Sequence, residues 1–529
     1  MGRNDTKRIE VRATEDELEQ AQEFVESLLD NPSINSEIAS ETEVIFEAVF
    51  SLILMQGFSS DTIIDILGEK KLGGLSLKIG FDGKRFNLAD DGEGGTSPEM
   101  RILEGFAEKV SHSYHRGYNV IRIAVKSTPR AFLISCGGGF LIAIATYLII
   151  SSFMDAEAQH ALREEFVFPV EMLFGNALLM VGPPVTMLSI LKNVSDVFIA
   201  SERSADSHRL WRKSIATSLF AIGLAIAVTY VMSILLSFWR GYYAAHAEEV
   251  VDYSFSSLIV SMVPASIFEP FETISPIPLV LLAAIVTYAL CHASVYFDKL
   301  KTAIDAMYEL FSWMLRAVMV VLPFFCFIAF LDALLDVGFE SLLFITRVVL
   351  SIAGGVLILL TSYAVRLRIK GIEVIPFVKK LLPLLRENIA INSAIDAVPY
   401  NIRYCARHYG MSRERLSNNL PVLAQLSLDG NTFILMYIAM IGVFMIGSDI
   451  HWVHILAIGL LVLFLELGAP NQPGGILVGT LIIITYLNLP DMLRMAIYLE
   501  VFFGSAQNIV NVISNVVEMA EDEGVHYDE

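Results

Sequence analysis

Three polar clusters interrupt the apolar C-terminal half of this chain. They are Ser427-Leu428-Asp429-Gly430-Asn431, Gly468-Ala469-Pro470-Asn471-Gln472-Pro473-Gly474-Gly475, and the stretch from Asn508 to Asn515. Hydrocarbon offers no water to backbone N–H and C=O groups, so a broken helix at membrane depth must be buried in protein or line a cavity. A carboxylate there is costly and persists where it has a partner or a water path. The chemistry such clusters can do is binding. Short and interrupted apolar segments in this arrangement point to a midplane site in a secondary transporter. A plainer reading stays open for each group. Asp429 can be protonated or hydrogen-bonded to nearby backbone, the asparagines can glue helices together, and the glycines and prolines can simply shape hairpins.

The elements that must position these residues follow from hydropathy. The chain has 529 residues, 54% hydrophobic, with a mean hydropathy of +0.58. Most of it therefore belongs in a bilayer. A net charge of -20 argues against nucleic acid as a partner. Cys136, Cys291, Cys326 and Cys405 stand singly, without metal-ligand spacing. Residues 1–30 lack the apolar core of a signal peptide. Long runs at 131–153, 168–191, 213–238, 278–298, 313–335 and 341–365 predict six spans, since a spanning helix needs about 20 apolar residues. Lys and Arg alternate with Asp and Glu from loop to loop. Lys126 and Arg130 precede the first span, Asp155, Glu157, Glu164 and Glu165 follow it, and Arg203, Arg209, Arg212 and Lys213 follow the second. This bias predicts a cytoplasmic N-terminus. Pro264, Pro270 and Pro276 predict a broken start to the fourth span, and Arg316 and Arg347 are expected to snorkel or pair with acids.

Beyond residue 365 the pattern changes. Segment 383–408 carries Asp396 and Pro399 with basic residues at both ends, and predicts a re-entrant hairpin. Segment 417–447 predicts a broken span, 450–487 a second hairpin, and 491–518 a last span with a polar C-terminal half. The expected fold is an all-α multi-spanning domain of eight spans and two re-entrant hairpins, joined to an N-terminal α/β domain.

These residues resemble the dicarboxylate/amino acid:cation symporters, the glutamate-transporter homologues. That family reads Asn-Met-Asp-Gly-Thr in its seventh span, where this chain has Ser427 to Asn431. It has a Pro-Gly-Gly hairpin tip, here Pro473-Gly474-Gly475. Its last span ends Arg-Thr-x-x-Asn-Val-Thr-Gly-Asp, matched in spacing by Gln507 to Asn515, and Ser393 to Pro399 stand at its serine-rich first hairpin. The resemblance covers about 131–518. It implies an elevator-type symporter, scaffold about 131–300 and transport part about 301–518, working as a homotrimer in the plasma (inner) membrane with both termini cytoplasmic. It implies substrate contacts from Ser393, Asp396, Asn471, Gln472, Pro473, Gly474, Gly504, Gln507, Asn508 and Asn511. The coupling cation, sodium or a proton, would be held by Ser427, Asp429, Asn431, Asn511 and Asn515. Three departures reshape that expectation. The family's carboxylate-gripping arginine is Gln507, the aspartate for the substrate's amino group is Gly504, and its cation-binding aspartate is Asn515. Without the bidentate guanidinium an acidic amino acid is not the expected solute, and Asp396 is a charge the family lacks.

Residues 11–127, after a flexible 1–10, predict helices at 14–30, 39–56 and 98–110 and strands at 75–80, 84–89 and 118–126. Asp90-Asp91-Gly92-Glu93-Gly94 after a strand resembles the nucleotide-lid motif of histidine-kinase-like ATPases and anti-sigma-factor serine kinases. The resemblance implies nucleotide contacts at Glu47, Ser51, Asp90, Gly92 and Gly94. Ser51 stands where that family's magnesium-holding asparagine belongs, so ATP and Mg²⁺ are not expected as cofactors and the domain reads as a degenerate sensory or docking module, with a cytoplasmic regulatory protein as a partner. Asp-Gly and Gly-Gly are also ordinary turn formers. The functions in competition are a cation-coupled symporter of a small organic solute, a transporter-derived membrane sensor, and an ATP-using enzyme tethered to the membrane. Residues 519–529 form an acidic tail.

Overall fold

The computed structural model describes residues 6–29, 36–56, 63–71, 74–84, 110–115, 117–125, 129–203, 207–235, 262–273, 275–292, 297–391, 397–446, 452–468, 474–487 and 492–525, with residues 58, 62, 86, 103, 260, 393–395 and 489 besides. It divides into two compact units. One holds residues 1–129 together with 395–413; the other holds 130–394 and 414–529.

The first unit is built on a five-stranded antiparallel sheet: β1 (Thr6–Arg12), β2 (Ile63–Lys71), β3 (Gly74–Asp82), β4 (Val110–His115) and β5 (Tyr118–Val125), in the order β1-β2-β3-β5-β4. Strand residues alternate faces, and Ile64, Ile66, Leu77, Ile79, Phe81, Ile121 and Ile123 all point into one core. Helices α1 (Glu15–Leu29) and α2 (Ser36–Met55) cover that face with Ala21, Val25, Leu28, Ile45, Phe46, Val49 and Phe50. Two expectations are corrected here. Val110, placed at the end of a helix over 98–110, opens β4, which pairs with β5 from Val110↔Ile123 to His115↔Tyr118. Strands β1 and β2 went unforeseen, because their charged outward residues (Arg8 with Asp65, 2.6 Å) mask the alternation. The strand at 84–89 lies mostly outside the described residues.

The second unit is helical: α3 (Pro129–Phe153), α4 (Ala156–Leu162), a π-turn at Arg163–Val167 running into α5 (Phe168–Arg203), α6 (Ser207–Leu235), α7 (Glu269–Glu272), α8 (Pro276–His292), α9 (Phe297–Val320), α10 (Leu322–Val337), α11 (Glu340–Ile369) and α12 (Val374–Ile391). Helix α13 (Val398–Tyr409) belongs to the first unit. The chain returns through α14 (Arg413–Leu426), α15 (Asp429–Ile446), α16 (Trp452–Gly468), α17 (Gly475–Tyr486) and α18 (Leu493–Glu523). Leu141, Phe153, Leu173, Met180, Leu350, Leu357 and Ile369 are largely exposed, as suits apolar side chains in a lipid surround.

The count of spans differs from the eight expected. Among the described residues six helices are long and apolar enough to cross a membrane, or seven if α9 and α10 form one bent span. That pair bends by 54°, where Pro323 near the start of α10 removes a backbone donor. The fourth expected span is a 17-residue helix, α8. The first hairpin also departs from expectation. Its second limb, α13, carries Arg403, Arg407 and His408 and packs with the N-terminal residues, a helix too polar for a hydrocarbon surround.

Candidate functional site

The site grows from the break between α14 and α15. Ser427 and Leu428 leave the helix, so backbone groups on either side lose their intrahelical partners. Side chains from three other helices replace them. Ser214 on α6 donates to the Leu426 carbonyl at 2.6 Å. Glu466 on α16 accepts from the Leu428 N–H and from the Ser218 hydroxyl, both at 2.9 Å. Asn511 on α18 accepts from the Gly430 N–H at 2.9 Å. Gly430 is required because α18 passes so close: a Cβ there would sit 2.7 Å from the Gln507 carbonyl oxygen.

Asp429, fully buried, opens α15. Its Oδ2 accepts from the Tyr363 hydroxyl on α11 and from Ser514 on α18, each at 2.7 Å. Ser427 reaches Ser514 at 3.4 Å. Asp429 Oδ1, both side-chain polar atoms of Asn431, Gln507 Oε1, Asn515 Oδ1 and both oxygens of Glu518 are buried without a hydrogen bond in the protein. The nearest cation to Glu518 is Arg366, at 3.8 Å.

Helix α18 explains how so many polar groups meet. Glu500, Gly504, Gln507, Asn511, Ser514 and Glu518 recur at spacings of three, four and seven, which line one face of a helix, and all six are buried. Ion pairs pin the helix near both ends. Arg494 bonds Asp332 at 3.1 Å and Asp336 at 3.2 Å on α10. Arg366 holds Glu521 through two hydrogen bonds of 2.8 and 3.0 Å, and Arg209 meets Asp522 at 3.0 Å.

The residues expected at the site fall into several groups. Ser427 and Asp429 are joined through Ser514, Asn511 holds the Gly430 N–H next to Asp429 in sequence, and Asn431 and Asn515 are buried. Gln507 is buried, and Asn508, half-buried, turns its amide back to the Gly504 carbonyl at 3.3 Å. Ser393 is buried in the segment after α12. Gly474 and Gly504 both touch Glu500. Asp396, Asn471, Gln472 and Pro473 lie outside the described residues, as do Asp90, Gly92 and Gly94. In the first unit Glu47, half-buried on α2, gives its carboxylate to Arg403 on α13, and Ser51 is half-buried one turn further on. The sequence reading missed Tyr363, Ser514, Glu466, Glu500 and Glu518. The three glutamates had a signal, each being an acid inside an otherwise apolar run.

The sodium:dicarboxylate symporter family profile matches residues 132–519, the whole helical stretch that holds this site. The chain belongs to the sodium:dicarboxylate symporter family. Members of this symporter family are cation-coupled secondary transporters and not enzymes, so the multi-pass membrane unit is a carrier. No curated protein matches the chain.

As a symporter of this family the chain needs a place for its cation, and the donor set around Asp429 suits one. A hard cation takes oxygen ligands from carboxylate, amide and backbone carbonyl. Asp429 Oδ1, Asn431 Oδ1 and Asn515 Oδ1 are such oxygens, buried and without a hydrogen-bond donor from the protein. Among the described residues no group of three or more His, Cys, Asp or Glu is placed to hold a metal ion, so a cation here would draw on amide and hydroxyl oxygens besides the one carboxylate.

Proposed function

We propose that the chain carries a small organic solute other than an acidic amino acid, driven by a cation held at Asp429. The observation that supports this reading is Asp429 Oδ1, buried and without a hydrogen bond in the protein where α15 begins, with the Oδ1 atoms of Asn431 on α15 and Asn515 on α18 likewise buried and unbonded. An uncompensated buried polar atom costs roughly 1–3 kcal/mol, and a bound cation relieves several of them at once. Gln507 and Gly504 stand where the resembling carriers grip an acidic amino acid, and neither can hold a carboxylate or an ammonium by charge. From the same resemblance we take an elevator cycle within a homotrimer, N- and C-termini in the cytoplasm of the plasma membrane, and regulation from the N-terminal unit.

Cation-driven uptake into proteoliposomes tests this, with Asp429→Asn as the comparison. Losing the carboxylate is expected to lower uptake at least about tenfold, equivalent to about 1.4 kcal/mol of driving interaction. Unchanged uptake by the variant removes Asp429 from the mechanism. A second reading, a transporter-derived sensor signalling through residues 1–129, draws on the substitutions at Gly504, Gln507 and Asn515. Ligand-dependent thermal stabilisation without solute counterflow favours it; robust counterflow ends it.

A further inference from the structure

We propose that Glu518 is the anionic ligand of a second alkali cation, seated one turn of α18 beyond Ser514. This rests on the reading of Asp429 above and adds an ion to it. Glu518 is 0% exposed, and neither of its oxygens makes a hydrogen bond in the protein. An ionised carboxylate offers about four lone-pair sites, and no donor from the protein fills them here. A carboxylate buried in this way is costly, and in a membrane unit it persists where it has a partner or lines an ion path. The bases near this end of α18 are committed to other acids. Arg366 on α11 comes within 3.8 Å of Glu518 Oε1, yet gives its hydrogen bonds of 2.8 and 3.0 Å to Glu521. Arg209 and Lys213 on α6 pair with Asp522. Arg366 therefore eases the charge on Glu518 without occupying its oxygens.

Two routes of contact place Glu518 beside the Asp429 site. Ser514, one turn earlier on α18, donates to Asp429 at 2.7 Å. Tyr363 donates to the same carboxylate at 2.7 Å, and its ring centroid lies 5.8 Å from the Arg366 guanidinium. A second unbonded group points to the same ligand. Asn515 stands three residues before Glu518, a spacing that makes neighbours on a helix, and its Oδ1 is buried without a hydrogen bond in the protein. Carboxylate and amide oxygens are the ligands a hard cation takes. A seat with one carboxylate matches the single charge of an alkali ion.

The test measures the melting temperature of the full-length purified protein in choline chloride, with sodium chloride or potassium chloride replacing it at constant ionic strength. A ligand stabilises the state it binds, and near saturation the slope of stability against the logarithm of ion concentration counts the ions bound. The unaltered protein is expected to melt higher in one of the alkali salts, and the two arms show which ion is taken. Glu518→Gln keeps the side-chain volume and removes the charge. Its slope is expected to fall by at least about half, and in choline alone it is expected to melt no lower than the unaltered protein, since an unfilled carboxylate has been removed. Glu518→Ala serves for the slope if the glutamine variant does not fold. An unchanged slope overturns the proposal. So does a Glu518→Gln protein that melts lower in choline, the mark of a structural partner for Arg366. Asp429→Asn separates the two readings. If it flattens the slope and the Glu518 variants do not, the Asp429 site stands and the second seat is rejected. If the Glu518 variants alone flatten it, the second seat stands and Asp429 is not a ligand. No rise with either alkali ion in the unaltered protein ends both.

Discussion

At the level of single residues, Gly430 shows how tightly the site is specified. The Asp-Gly pair was readable as a helix break, because glycine beside an acid inside an apolar run has few other uses. The reason for glycine was not readable, since it lies on another helix: the Gln507 carbonyl is 2.7 Å from where a Cβ would be, and Val510 Cβ is 2.9 Å away. A backbone carbonyl cannot swing aside as a side chain can. Gly430→Ala is therefore expected to cost about 1–3 kcal/mol through overpacking, read as a lower melting temperature in detergent. Because the same shift would part the Gly430 N–H from Asn511, cation dependence of uptake should weaken in step. A variant that melts like the unaltered protein would mean that α15 and α18 are not so close.

At the level of elements, the long apolar helices and the two late breaks were legible because hydropathy and Gly/Pro interruptions are local signals. What escaped was the sharing of polar work between elements. Ser214 and Glu466, the latter held by Ser218, complete the backbone of a break far from them in sequence, and nothing in their own neighbourhoods says so. The polar stripe on α18 was half seen: its asparagines stand in a recognisable run, while Glu500 and Glu518 sit among hydrophobic residues and read as isolated charges. The position of that stripe depends on the ion pairs that pin α18. Asp332 is 1% exposed and is held by both Arg494 and Arg163, each at 3.1 Å. Arg494→Met leaves it with Arg163 alone, and the expected loss is on the order of 2 kcal/mol, since breaking a buried pair strands charge in a poor solvent. Asp332→Asn in the same chain should recover part of the loss. Additive losses in the double variant, measured by thermal melts, would show that the two groups do not act as a pair.

At the level of the whole molecule, the N-terminal unit has a place beyond its own sheet, because residues 395–413 are part of it. Hydropathy alone gave no hint of this: α13 follows an apolar helix and looks like the returning limb of a hairpin. Its Arg403 bonds Glu47, the carboxylate that the kinase resemblance would have assigned to nucleotide chemistry. The pair is partly solvated, with the arginine side chain 48% exposed, so its strength lies within about 0–1 kcal/mol. A contact of that size holds α13 on α2 only weakly. Charge reversal separates this from a chance surface pair. Arg403→Glu and Glu47→Arg are each expected to change uptake by up to about fivefold, the range that 1 kcal/mol allows, and the double reversal should return it towards the unaltered rate. Raising salt should shrink all three effects, since exposed charges are screened within about 8 Å at physiological ionic strength. If both single reversals leave uptake and its salt dependence unchanged, the contact between α2 and α13 has no influence on the carrier, and the proposed regulation from the N-terminal unit loses this route.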